Sequence, residues 1–375
     1  MSDRLNRLRI GLITGADLRR AAPGGTRTYV LGLASFLVQH GLAVEIFSNG
    51  PVEGAPARCQ VTRIMIEHVP SSRRFQRGIA RWAYRERFRN VGLLHFQRPD
   101  DLWPIRRLEA LPPAICTLHG DPSKGIRRRH GVGLALAYRL VELATITRFA
   151  AIISVDDKTA ETYRSRYPSM MTRIHVIPNA ADDEFLKPVS APSNGHVRRA
   201  EMPSSSPTFV FVGRLSKEKR VDAIIRGVLS GGAPKGATLL IAGSGPEEEH
   251  LRHIANGSKI RFLGNVDHRS MAHLYDSAAA LILASEYEGI PTVALEAIAS
   301  GCPVIAPAGC GLDRLLESGR GFLIADLSEL PNAMSQVAKA RWNSTPLSLP
   351  RSFHWSSVGE RLVEVYRTVA PGIAP

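Results

Sequence analysis

Apolar runs of five to seven residues alternate with helix-length amphipathic stretches along most of the chain, the pattern of βαβ units folding into parallel sheets. In the first half the predicted strands are RIGLIT (9–14), AVEIFS (43–48), VTRIMI (61–66), GLLHFQ (92–97), AICTLH (114–119) and AIISV (151–155). Helices are predicted at about 26–40, 73–89, 133–149 and 157–166. The proline- and serine-rich segment 187–207 has no apolar period and reads as a linker. A second alternating series follows, with strands at 208–213, 238–243, 260–264, 280–285, 303–307 and 321–325. Its helices fall near 219–229, 247–256, 268–278, 291–300, 312–318 and 328–341. A closing helix at about 355–369 follows Pro350, with Ser356 or Ser357 as its cap.

This organisation predicts an α/β protein of two doubly wound Rossmann-like domains, residues 1–186 and 208–354, joined by the linker. A length of 375 residues fits two domains of about 100–200 residues each. With 44% hydrophobic and 22% charged residues, the composition is globular and excludes global disorder. No apolar run is long enough to span a membrane, and the first residues lack a signal-peptide pattern, so a cytoplasmic protein is expected. Cys59, Cys116, Cys302 and Cys310 form no CxxC pair and have no histidine at ligand spacing, so they read as reduced thiols without a metal.

The net charge of +14 is uneven: residues 1–185 carry 28 Lys and Arg against 17 Asp and Glu, the remainder 20 against 17. An anionic partner is therefore expected on the first half. Within it, residues 71–90 place Phe75, Ile79, Trp82 and Ala83 at helical spacing among seven arginines. That helix either packs its apolar stripe on the sheet, or presents an apolar edge to an anionic membrane, or follows a nucleic-acid backbone.

Ligands of doubly wound sheets bind at the carboxyl ends of the strands, and three such places draw attention in the second half. After strand 280–285 come Glu288 and Gly289, then Pro291 and a nearly all-apolar helix carrying Glu296. Glu296 either pairs within the domain or joins Glu288 in accepting from the hydroxyls of a ligand whose anionic part sits on the helix N-terminus. Arg214 and Lys219, after strand 208–213, suit a diphosphate or form a solvated loop. The glycines of IAGSGPEEEHL (241–251) precede three glutamates that would repel phosphate, so this loop reads as a structural turn. In the first half, Gly24-Gly25 follow the first strand and His119 ends the fifth; each is either structural or a ligand contact.

Together these motifs resemble the retaining GT-B glycosyltransferases of family four, the glycosyl transferases group 1. The resemblance rests on IHVIPNAAD (174–182), FVGRLSKEK (211–219), IAGSGP (241–246), IRFLGNV (260–266), Glu288 and Glu296 with seven residues between them, and FHWSSVGERLVEVY (353–366). Residues 1–173 match more loosely, through Gly24-Gly25 and His119. It implies two sheets facing across a cleft, a first domain that binds the acceptor, and a last helix crossing back onto that domain. It also implies that Arg214 and Lys219 hold a nucleotide diphosphate approached by Gly24 and Gly25. Glu288 with the backbone of Gly289 and Ile290 would hold the sugar, Glu296 the ribose, and the segment to Val266 would flank the base. His119 would contact the transferred sugar. Arg220 departs from the family pattern, where glycine commonly follows the lysine, and so does Cys310, in a loop often written with paired glycines.

The implied reaction moves a sugar from a nucleotide sugar to a glycan or lipid-linked acceptor, as in cell-surface polysaccharide or glycolipid synthesis. It proceeds with retention and without cofactor or metal, in keeping with the lack of any DxD triplet. The protein would work in the cytoplasm or peripherally on the inner membrane face. Two rivals stand beside this reading: an epimerase or phosphorylase on the same fold, and a basic nucleic-acid-binding protein. The second lacks zinc spacing and interleaved aromatic motifs, so no nucleic acid is expected as partner.

Overall fold

Strands of a parallel sheet are buried on both faces and appear as unbroken apolar runs, and these runs are where the strands lie. The computed structural model describes residues 8–19, 24–69, 71–186, 206–255, 259–285, 289–340 and 348–373. The chain divides into two units, one of residues 1–22, 26–179 and 355–375, the other of residues 23–25 and 180–354. The division falls at 179 rather than 186 because Ala181 and Phe185 are buried in the second unit's core, Phe185 against Tyr275. Most of the expected linker lies outside the described residues.

The first unit holds β1 (Arg9–Thr14), α1 (Gly25–Gln39), β2 (Val44–Asn49), β3 (Gln60–Met65), α2 (Ser72–Glu86) and β4 (Val91–Phe96). It continues with β5 (Ala114–Leu118), α3 (Pro122–Ile146), β6 (Ala151–Ser154), α4 (Asp157–Arg166) and β7 (Ile174–Val176). The sheet order is β3-β2-β1-β4-β5-β6-β7 and every pairing is parallel. The chain thus winds outward from β1 in one direction, then returns to start β4 on β1's other side. Ile10 pairs with Val44 of β2 and Leu93 of β4, which makes β1/β4 the switch point.

The second unit holds β8 (Thr208–Val212), α5 (Val221–Leu229), β9 (Thr238–Ala242), α6 (Glu248–Ile254), β10 (Ile260–Gly264) and α7 (His268–Ser277). After these come β11 (Ala280–Ile282), α8 (Thr292–Ala299), β12 (Val304–Pro307), α9 (Asp313–Leu315), β13 (Gly321–Ile324) and α10 (Leu330–Lys339). Its order, β10-β9-β8-β11-β12-β13, is again all parallel, with the switch point between β8 and β11. Two apolar cores cover the sheet, one including Leu281, Leu295 and Ile298, the other Ile224, Ile225 and Ile282.

The last helix, α11 (Trp355–Val369), belongs to the first unit and lies against α1. Glycine makes this approach possible: a Cβ on Gly359 would stand 2.3 Å from the Phe36 ring, and one on Gly32 would stand 2.5 Å from Trp355 Nε1.

The membrane-facing edge expected on α2 is not available. Phe75, Ile79 and Ala83 are fully buried on the sheet, and half-buried Trp82 meets Phe47 and Phe88 edge-on with ring centroids 4.9 and 5.1 Å away. Burying a side chain such as phenylalanine or isoleucine is worth about 1.5–3 kcal/mol, and here the core takes that gain. The arginines of α2 form its outer face.

Candidate functional site

In a doubly wound sheet the loops leaving the two switch-point strands diverge, opening a crevice at the carboxyl edge. In the second unit those strands are β8 and β11. β8 runs through Gly213 into exposed Arg214, then into a single 3-10 turn, Lys217–Lys219, where Lys219 is half-buried. Arg220 closes the turn in the left-handed conformation, φ 48° and ψ 40°, which explains why glycine would suit this position.

The glycine loop after β9 braces this cationic loop. Gly213 N–H donates to Ala242 O at 3.0 Å, Leu215 N–H to Ser244 O at 3.0 Å, and Glu247 N–H to Leu215 O at 3.0 Å. A Cβ on Gly243 would stand 1.9 Å from Gly213 O, so close backbone packing demands glycine there. A cavity of about 280 Å³ beside the loop is lined by Ser216, Lys217, Arg220, Glu247 and His250 among others, and by neither Arg214 nor Lys219. Past β10, half-buried Val266 packs on the core, and Ser244 Oγ donates to Asn265 Oδ1 at 3.0 Å, tying the β9 and β10 loops together.

Across the switch point, Glu288 lies outside the described residues. Gly289 and Ile290 are buried and lead into Pro291, whose carbonyl accepts from Ala294 N–H at 3.1 Å as α8 begins. Pro291 therefore caps the helix rather than forming its first residue. One turn on, Glu296 is 5% exposed, and the wholly buried Tyr275 donates its hydroxyl to Oε2 at 3.4 Å. Burial and this carboxylate push the Tyr275 pKa well up, so its proton stays and fixes the carboxylate. Ser285, just after β11, was not singled out in the sequence. Its buried Oγ finds no hydrogen-bond partner among the described residues.

The first unit repeats the arrangement. Gly24 precedes α1, which starts at Gly25 in the β1 loop, Gln97 follows β4, and His119 follows β5. His119 Nε2 and Gln97 Oε1 are 2.9 Å apart. Burial lowers the His119 pKa to about 4, so the ring is neutral near pH 7. With Nε2–H donating to Gln97, the Nδ1 lone pair remains as an acceptor. Beneath it, His95 Nε2 lies 2.7 Å from Thr117 Oγ1, Thr117 lies 3.2 Å from the Tyr29 hydroxyl, and the Tyr29 ring stands edge-on to His119 at 4.9 Å. Gln97 had a signal that was passed over, since it ends an apolar run at the carboxyl edge as His119 does.

In the second unit Arg214, Lys219, Gly289 and Ile290 thus lie in the loops leaving the two switch-point strands; Gly24 and Gly25, at the start of α1, group with that unit, and His119 follows β5 of the first, one strand beyond its switch point. Among the described residues no cluster of three or more His, Cys, Asp or Glu is placed to hold a metal.

Known proteins share this architecture. A sucrose-phosphate synthase from Thermosynechococcus elongatus superposes with a TM-score of 0.79 at 22% identity, over 96% of this chain and 99% of that one. Alr3699/HepE from Anabaena, solved with UDP and glucose, gives 0.70 at 17% identity over 96% and 100%. In sequence, a phosphatidyl-myo-inositol mannosyltransferase of Mycobacterium leprae is 26% identical over 97% of both chains. The model of Glycosyltransferase Family 4 matches residues 23–185, and that of Glycosyl transferases group 1 matches residues 206–340. With one model on each unit and the GT-B glycosyltransferase fold beneath them, the chain belongs to the group 1 glycosyl transferases, family 4.

Proposed function

We propose that this glycosyltransferase moves a sugar from a nucleoside-diphosphate donor to a hydroxyl of a glycan or lipid-linked acceptor, keeping the donor's anomeric configuration. The observation that supports this reading is the second unit's switch point, where Arg214 and Lys219 follow one strand and the N-terminus of α8 follows the other. Cations and a helix N-terminus are groups that stabilise a departing diphosphate.

In this reading Arg214 and Lys219 hold the diphosphate, which Gly24 and Gly25 approach through backbone alone. Glu296 takes the ribose hydroxyls, Val266 flanks the base, and Glu288 with the backbone of Gly289 and Ile290 orients the sugar. His119 accepts from a sugar hydroxyl through Nδ1. The acceptor oxygen attacks the anomeric carbon from the face the diphosphate leaves. The bond from that carbon to the phosphate oxygen breaks, and the acceptor's proton passes to the departing diphosphate. Two side-chain cations supply the charge compensation, so the reading calls for no resident metal or cofactor. The name of the mycobacterial relative, a phosphatidyl-myo-inositol mannosyltransferase, supports a lipid-borne acceptor.

A panel of nucleotide sugars screened by thermal shift, followed by assay of nucleoside diphosphate release with candidate acceptors, tests the reading. Acceptor-dependent release and a product of the donor's anomeric configuration are expected. Conversion of the sugar without diphosphate release would instead establish an epimerase or phosphorylase, and an inverted product would remove the retaining mechanism.

A further inference from the structure

We infer that the outer face of α3 docks the protein on an anionic lipid bilayer, an inference that rests on the proposed lipid-borne acceptor for its purpose and on the helix itself for its location. On α3, Ala135, Tyr138, Glu142, Thr145 and Ile146 form the buried stripe. Val132, Leu136, Leu140 and Leu143 recur at spacings of four, four and three on another side, and they are 55, 59, 70 and 54% exposed. Five of the eleven large apolar side chains that stand exposed among the described residues lie on this one helix. Single exposed leucines need no account, whereas a row of them along one face does.

The charge around the row selects the occupant. Lys124, Arg127, Arg128, Arg129 and Arg139 are exposed on the same helix. Its one acidic residue, Glu142, points into the unit, where Tyr163, Tyr167 and Arg166 hydrogen-bond it. Gly131, with φ 84° and ψ 176°, breaks the helix between its arginine turn and its leucine row. A second copy of this face would set arginine against arginine. A helix with leucines outward, arginines beside them and no exposed acid matches the pattern of one lying in the interface of an anionic membrane. α2, with Phe75 and Ile79 inside the core, adds charge but no apolar edge.

Co-sedimentation of the full chain with phosphatidylcholine vesicles, with and without phosphatidylglycerol, tests the assignment. Binding is expected only to the anionic vesicles. Leu136→Gln, Leu140→Gln and Leu143→Gln combined should weaken it at least ~10-fold, and each of Arg127→Gln, Arg128→Gln and Arg129→Gln by roughly fivefold. Leu140→Gln alone, at the most exposed position, keeps the test open should the triple variant unfold. Binding to neither vesicle, equal binding to both, or binding indifferent to the leucine substitutions would overturn the proposal. So would binding lost only on replacing Arg73, Arg74, Arg77 and Arg81 of α2, or a vesicle-free dimer that the leucine substitutions abolish. Diphosphate release with a water-soluble acceptor reports separately on the transfer reading, and the α3 variants should retain it. Absent release with vesicle binding intact would sink that reading and leave the docking surface standing.

Discussion

His95 Nδ1 lies 2.8 Å from the hydroxyl of Tyr366, which joins the middle of β4 to α11, 271 positions later. Both residues are fully buried. With Tyr366 donating to Nδ1, Nε2–H donates to Thr117, and the run continues through Tyr29 to the ring edge of His119. The last helix is thus coupled to the strand end that carries a candidate site residue. Tyr366→Phe would strand the Nδ1 acceptor in the core, at a cost of about 1–3 kcal/mol. Urea unfolding measures it, and wild-type stability in the variant would mean the contact contributes nothing.

The two histidines also set a pH dependence. Burial lowers the pKa of His95 to about 3, with His119 adding repulsion, and that of His119 to about 4, against an ordinary 6.5. The unfolded chain takes up these protons as pH falls below about 6.5, while the folded chain resists until near 4 and 3. Their contribution is therefore fully present above 6.5 and declines below it. Together they should remove roughly 3 kcal/mol between pH 6.5 and pH 5. Unfolding free energies across this range, repeated with His95→Gln, should show about half of that slope gone; an unchanged slope would place its origin elsewhere.

The strands were legible because burial on both faces leaves no polar interruption: RIGLIT is β1 residue for residue. β7 was not, since three residues with His175 exposed make no apolar run. α3 was read from 133, past its arginines and Gly131, although the helix begins at Pro122. Spacing showed that Phe75, Ile79 and Trp82 share a face but not whether a sheet or a lipid meets it. The α3 row was missed for the complementary reason: apolar residues on two sides of a helix look like core until one side proves uncovered. Arg214 and His119 drew attention because the one lies just beyond a strand's apolar run and the other closes one, and Lys219 because it lies in the same loop as Arg214. The His95–Tyr366 contact has no signature in spacing.

Arg220 is the one place where the sequence departs from the family pattern and the backbone shows why it matters. Its φ of 48° suits glycine, and a side chain there costs about 1–2 kcal/mol. Glycine gives back part of that gain through its looser unfolded chain. Arg220→Gly should therefore stabilise the second unit by about 0.5–1 kcal/mol. A drop in denaturation midpoint would show that contacts of the arginine side chain outweigh the strain.

Glu296, held by Tyr275 near the start of α8, is assigned to the ribose, and Glu288 to the moving sugar. Glu296→Gln keeps the shape and removes the charge, so binding of the bare nucleoside diphosphate should weaken by about tenfold. Glu288→Gln should leave that binding unchanged and lower transfer. Calorimetric titration with the nucleoside diphosphate separates the two, and the reverse pattern would exchange the assignments.

On the proposed reading Arg214 and Lys219 carry the heaviest demand, because there the bond to the sugar breaks only as negative charge gathers on the diphosphate. Arg214 is exposed and Lys219 half-buried, and the loop that carries them is braced through backbone contacts with Gly243 and Ser244, so the backbone that presents both cations is set before that charge forms. Preorganised groups gain most in the transition state, and losing one costs about 3–4 kcal/mol, or roughly 100- to 1000-fold in rate. Arg214→Ala and Lys219→Ala should each lower kcat by that factor while the melting temperature holds, because neither side chain belongs to the core. Lys219→Arg should recover part of the loss, since it restores charge with a different reach. Comparing kcat with KM for the donor decides what the cations do. A rise in KM alone would mean that they bind donor and transition state equally, and unchanged kinetics in both alanine variants would leave the loop as solvated surface.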